Sequence, residues 1–147
     1  MAVRANLAGI GHDESLVSPE PAGNCVTWVL GHLLHYLEGL LTALGQSPTL
    51  GQEGLARYAR GSEPLSDGSG ALPLEELLEN WQSSTDRLRQ VLETLDEEQF
   101  SMTRDFTGSG RETTLDGHVA FALFHLAYHA GQLGLLRRLL GREGGIP

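Results

Sequence analysis

The sequence contains no lysine; all ten of its basic residues are arginine. That excludes Schiff-base chemistry and a lysine nucleophile. It has one cysteine, Cys25, which can close no disulfide within the chain and cannot build a four-cysteine zinc site. A reducing compartment fits. Aromatic residues make up 6% and β-branched residues are few, so no stretch carries the strict alternation of a half-buried strand. No apolar run reaches the ~18 residues of a membrane span, because His, Gly and Glu break the longest ones. Met1 to Leu16 holds a single Arg and no apolar core of signal-peptide length. The expectation is a soluble, cytoplasmic protein that makes no use of a membrane.

Positive charge is also short. Ten Arg against nineteen Asp plus Glu leave a net charge of −9, which repels a phosphate backbone. The arginines are scattered, with Arg137-Arg138 the only adjacent pair, so no nucleic-acid partner is expected. What remains is an ordinary globular composition: 147 residues, 40% apolar and 20% charged. This is one domain, 1–147, able to bury roughly 70% of the surface its unfolded chain exposes.

Leucine dominates, and it recurs at helical spacing. The first long segment runs from about Asn24 to Leu44, with Val26, Val29, Leu30, Leu33, Leu37, Leu40, Leu41 and Leu44 on one face. Pro19, Pro21 and Gly23 break the chain before it, Asn24 is the expected N-cap, and Gly45 and Pro48 stop it. A second runs from about Pro73 to Leu95, with Glu75, Glu76 and Glu79 toward the positive end of its dipole. The third runs from about Thr114 to Leu140, with Thr113 and Asp116 spaced as a capping box. It is apolar nearly all round, so it is expected to be covered on most faces, either at the centre or against a second subunit. A short helix is expected within Ala2 to Ile10, and a helical turn or two around Glu53 to Arg60. The long connection from Gln46 to Leu72 can cross a bundle. It and the stretch Glu98 to Thr113 are the candidates to shape a pocket. The economical fold is all-α, four helices with long crossovers.

Of six histidines, five lie on the first and third of these long helices, and His12 stands in a Gly/Asp-rich loop that carries little information. His125 and His129 are four apart, so they point the same way one turn apart and can share one metal. The same spacing also fits two satisfied core or surface histidines. On the first long helix, His32 lies at the edge of the leucine stripe and can look into the bundle. His35 lies nearly opposite that stripe, beside Glu38, and is expected to face water. His118 shares a face with His125 but sits ~10 Å back along the axis, too far to share a metal with His129. Three inward imidazoles would make an open site, with positions left for water or substrate. Gln132, three residues after His129, can hold that ring from behind or bond within the core. Gly131 and Gly134 are read as places of close helix approach. Cys25 opens the first helix, where the dipole would lower its pKa; a small buried residue is the simpler reading. Trp28 and Trp81 are read as packing residues. The carboxylates cluster at helix ends, and no inward acid pair is evident.

The stretch Gly23-Asn24-Cys25-Val26-Thr27-Trp28-Val29-Leu30-Gly31-His32-Leu33 resembles the "N-S-x-x-W-x-x-x-H" motif of the DinB/YfiT superfamily. Phe124-His125-Leu126-Ala127-Tyr128-His129-Ala130-Gly131-Gln132-Leu133 resembles its closing "H-x-x-x-H-x-G-Q" helix. Tyr58-Ala59-Arg60-Gly61 before Pro64 suits the intervening loop, and the resemblance runs from about Leu16 to Leu140. It implies a DinB-like four-helix bundle of up-down-down-up topology with a long crossover loop. It implies a divalent metal held by three histidines, here His32, His125 and His129, and a homodimer, which would suit the apolar last helix. Cys25 stands where Ser is more usual, and Phe121 where many members carry another His; the three ligands remain.

Characterised relatives in that superfamily include bacillithiol and mycothiol S-transferases and a thiol-dependent maleylpyruvate isomerase. The leading expectation is therefore a metal-dependent enzyme that transfers a low-molecular-weight thiol (bacillithiol, mycothiol or glutathione type) to an electrophilic substrate. The metal would be Zn, Ni or Fe. Two alternatives stay open: a metal-dependent hydrolase using a bound water, and a non-catalytic, stress-associated metal-binding module.

Overall fold

A computed structural model describes residues 2–20, 23–50, 52–65 and 68–146. Pro21, counted above among the helix breakers, and Gly51, Ser66 and Asp67 of the long connection lie outside the described residues. The chain is mostly helical, in the order α1 (Ala2–Leu7), α2 (His12–Ser15), α3 (Val26–Ala43), α4 (Gln52–Leu55), a 3₁₀ turn (Ala56–Tyr58), α5 (Leu74–Glu93), α6 (Glu97–Ser101), β1 (Thr103–Arg104), β2 (Thr113–Thr114) and α7 (Leu115–Leu139). The three long helices fall within two residues of the boundaries expected from leucine spacing. The β1–β2 pair is a two-residue antiparallel ladder with Thr103 opposite Thr114, too short to leave a periodic signal.

The helix ends differ in detail from their sequence signals. Cys25, not Asn24, is the N-cap of α3, and its side chain makes no capping bond. Thr114, not Thr113, caps α7, again without a side-chain bond to a backbone amide of the first turn. The C-termini follow expectation. Gly45 turns left-handed at φ +79°, and the Gln46 amide reaches back to the Leu41 carbonyl at 2.9 Å. Gly141 does the same for α7 at φ +76°; a side chain at either position would be strained.

α3 is the central helix. It packs against both α5 and α7, while α7 also packs against α1. Val26, Leu30, Leu33, Leu34 and Leu41 of α3 are fully buried, with Leu77 of α5 and Leu133 of α7 against them. α1 is short but well tied. Asn6 is buried and donates from Nδ2 to the Ala130 carbonyl at 2.9 Å, and Arg4 donates to Gln82 on α5 at 3.0 Å. The Asn6 side chain lies 3.4 Å from where a Cβ on Gly134 would sit, so Gly134 does serve close approach; Gly131 faces open space.

The last helix is not covered on most faces within one chain. Phe121, Phe124, Tyr128, Leu135 and Leu139 are exposed along one side of it. At about 100° per residue they form a single stripe. By length and composition α7 is also the one described helix apolar enough to cross a membrane, although histidines and core leucines occupy its other side.

Glu38 is the other departure. Six residues after His32 in α3, it is 2% exposed. One carboxylate oxygen accepts the Thr49 amide at 2.7 Å; the other accepts the Ser84 hydroxyl and lies 3.8 Å from Arg87. Two hydrogen-bond donors and the nearby Arg87 charge, from two further segments, hold this buried carboxylate, as an uncompensated one would cost several kcal/mol (about 3–5).

Candidate metal centre

His32 on α3 and His125 and His129 on α7 meet at one place. Their ligand nitrogens all lie within 4.8 Å of one another. His125 Nε2 is 3.2 Å from His32 Nε2 and 3.0 Å from His129 Nε2. Two nitrogens on a tetrahedral zinc, each ~2.0–2.1 Å from the metal, stand about 3.3 Å apart. The trio is therefore spaced for a small cation.

The far side of each ring decides its chemistry. His32 Nδ1 sits 2.8 Å from the Tyr58 carbonyl oxygen, which can only accept, so Nδ1 carries the proton and Nε2 keeps its lone pair. His129 Nδ1 sits 2.6 Å from Gln132 Oε1, with the same consequence; the Gln132 amide nitrogen reaches Tyr128 Oη at 3.5 Å. Two lone pairs thus face His125 Nε2. A proton there could be donated to only one of them, and His125 Nδ1 is buried with no partner among the described residues. A cation at the centre resolves all three lone pairs at once.

Burial also favours the uncharged form of His125 and His129. His125 is pushed down to about 4, first by desolvation and then by the neighbouring His129 and His32. His129 is lowered by desolvation, partly offset by its bond to Gln132. Neutral imidazole is the metal-binding form.

The supports of His32 come from the loop after α4. Gly31 has no side chain because the Tyr58 ring occupies that space; a Cβ would lie 2.4 Å from it. This close approach brings the Tyr58 carbonyl over His32. The Tyr58 hydroxyl in turn accepts the Leu72 amide at 2.8 Å. Trp28, one turn before His32, stacks on its ring at 4.9 Å and 12°, and donates from its indole to Ser62 at 3.1 Å. Trp28 therefore orients a candidate ligand as well as packing. The Gly-His pair and the tyrosine are visible in the sequence; their contact across the long connection is not.

The remaining histidines stay outside the cluster. His118 is buried and bonds Tyr36 Oη through Nε2 at 3.1 Å. Tyr36 lies against His125 with ring centres 4.6 Å apart, and burial pushes its hydroxyl up to about 12. His35 is half-buried instead of facing water, and desolvation lowers its pKa. His12 accepts the Leu74 amide at 3.2 Å. Cys25 is fully buried, and desolvation raises its thiol pKa despite its place at a helix start, so the packing reading holds.

A cavity of about 420 Å³ opens beside the cluster. Its lining comes from α3, α5 and α7, with His125 and Tyr36 among the residues, and not from the two long loops expected to shape it.

No curated protein matches this chain. A solved crystal structure described as a conserved protein from Enterococcus faecalis shares the fold, with a TM-score of 0.73 at 19% identity over 95% of this chain and 88% of that one. The DinB superfamily model matches residues 1–133. With that match spanning most of the sequence, and with the histidines of both motifs side by side, the chain belongs to the DinB superfamily.

Proposed function

We propose that this protein is a metal-dependent enzyme that transfers a low-molecular-weight thiol to an electrophilic small molecule. The observation that supports it most is the tautomer pattern: two carbonyl-type oxygens fix the protons of His32 and His129 outward, so bare nitrogens converge with His125. His32, His125 and His129 would hold a divalent ion, Zn, Ni or Fe, leaving positions open to a substrate. Such an ion supplies charge stabilisation that keeps a thiol in its thiolate form at neutral pH. The sulfur lone pair then forms a bond to the electrophilic carbon, and the leaving group departs with its bonding electrons. The thiol proton passes to solvent. No side chain of the protein is needed as nucleophile, which agrees with the buried Cys25 and the lack of lysine.

Hydrolysis by a bound water needs a base close by. Among the described residues the one buried carboxylate is Glu38, and both its oxygens are already engaged. Thiol transfer is therefore the better-supported reading.

In this reading α1, α3, α5 and α7 form an up-down-down-up four-helix bundle, the protein works in the cytoplasm, and two copies pair through the exposed stripe of α7. The test is direct. Protein loaded with zinc, nickel or iron(II) is incubated with bacillithiol, mycothiol or glutathione and monochlorobimane. A metal-dependent fluorescent conjugate with release of chloride is expected with at least one thiol. No conjugate with any of them, while the metal stays bound, contradicts the proposal.

A further inference from the structure

α3 packs against both α5 and α7, and these two do not pack closely on each other. The gap between them is bridged at one end by α1, through Arg4 to Gln82 and Asn6 to Ala130. α1 has only six residues, so at ~1.5 Å per residue it covers about 9 Å of that gap. The opposite end is closed by Phe106 and Leu115 packed on Leu40, with Leu95 and Phe100 against them. Between the two closures lies the 420 Å³ cavity. Leu33 and Leu37 form its floor, Trp81 and Leu88 one wall, Ala122 and Leu126 the other. Its size falls within the range of small-molecule sites.

Its polar groups are few and placed apart. His125, a member of the histidine cluster, and Tyr36 belong to the lining, as does the exposed Arg89–Glu93 ion pair (3.3 Å) of α5. On α7, Val119, Ala122 and Leu126 lie on one side of the helix and the exposed stripe of Phe124, Tyr128 and Leu135 on the other, with His125 and His129 between them at about 100° per residue. The cavity and the stripe are therefore separate surfaces flanking one cluster.

We propose that this cavity binds the body of an uncharged alkyl or aryl compound, and that the electrophile of the transfer reaction is such a compound, its reactive carbon set at the His125 end. The second half of this statement rests on the thiol-transfer reading; the first does not. Nearly all of the exposed lining surface is apolar and its one charged pair, Arg89–Glu93, is already matched, so a charged body would be desolvated along most of its length. Transfer of an apolar body from water is favourable by roughly 25 cal/mol per Å².

The experiment uses the full chain and the neutral fluorophore 1-aminoanthracene, displaced by decanol. Binding is expected to saturate at one molecule per chain. Leu123→Arg sets a charge at the cavity wall from a position that is 64% exposed, so the fold does not depend on it, and it should weaken binding at least tenfold. Ala122→Phe, which fills the cavity, should do the same, with bound metal unchanged in both variants. In thiol transfer, Leu123→Arg should raise KM at least tenfold for benzyl chloride and leave kcat/KM for iodoacetamide within twofold. Saturable binding lost in both variants supports the cavity even where no thiol transfer is found. Absent or variant-independent binding overturns it even where transfer proceeds. A dimer that Leu123→Arg dissociates, with no probe bound, also overturns it by showing that a second copy fills the gap.

Discussion

The Tyr58 carbonyl oxygen holds the Nδ1 proton of His32 at 2.8 Å across twenty-six residues of sequence. One hydrogen bond ties the connection after α3 to the chemistry of α3. It exists because Gly31 lets the tyrosine ring lie flat against the helix.

Replacing that glycine should therefore injure the metal centre without touching a ligand. In Gly31→Ala the new methyl would lie 2.4 Å from the Tyr58 ring, so the ring and its carbonyl must move. Overpacking of this kind costs about 1–3 kcal/mol. Loss of the bond behind a ligand histidine weakens metal binding roughly 10–100-fold. Zinc titration against a competing chelator reads the second effect, and unchanged affinity would mean that the Tyr58 carbonyl does not orient His32.

Metal-free protein should lose stability as pH falls. The folded-state pKa of His125 is depressed to about 4 from an ordinary 6.5, so between those values the unfolded chain binds more protons than the folded one. Stability then rises with pH through that window and is lost on acidification. His118 and His129 are shifted in the same direction. Urea midpoints of chelator-treated protein at pH 7 and pH 5 measure the slope, and His125→Phe should flatten it. An equal slope in that variant would contradict the assignment.

Glu38 makes a contrasting case. In Glu38→Ala the Thr49 amide and the Ser84 hydroxyl lose their acceptor, and Arg87 loses an ion-pair partner 3.8 Å away. Leaving these donors without their acceptor costs roughly 1–3 kcal/mol. The urea midpoint should drop accordingly while metal stoichiometry holds, because none of Thr49, Ser84 and Arg87 touches His32, His125 or His129. A near-normal midpoint would show the carboxylate to be dispensable.

The sequence made the long helices and the histidine pair legible because both depend on local spacing. Leucines at three and four apart mark a buried face wherever the helix sits, and His125 with His129 share a face on any helix. His32 was readable because it stands at the edge of its own stripe. What escaped depended on other segments. Glu38 reads as a surface charge until Thr49, Ser84 and Arg87 are placed around it. His35 reads as solvated until its helix is packed. α7 is apolar on nearly every side, so periodicity could not distinguish the faces that meet α3 and α1 from the stripe left open. The cavity follows from the shortness of α1 and the separation of α5 and α7, neither of which leaves a local pattern.

That open stripe carries its own consequence. Phe124 is 64% exposed, so Phe124→Arg should leave helicity and the thermal midpoint nearly unchanged. If two copies pair through α7, the same change should turn a dimer into a monomer in sedimentation velocity. A wild-type chain that stays monomeric at tens of micromolar would contradict the pairing.

The central claim is that imidazoles ninety-three residues apart form one metal centre, and elemental analysis tests it most directly. Wild-type protein, purified metal-replete and freed of loosely bound ions, should carry about one divalent metal per chain. His32→Ala and His129→Ala should each carry less than a tenth of that, and His35→Ala should retain it. Full occupancy in His32→Ala, or none in the folded wild type, would contradict the account.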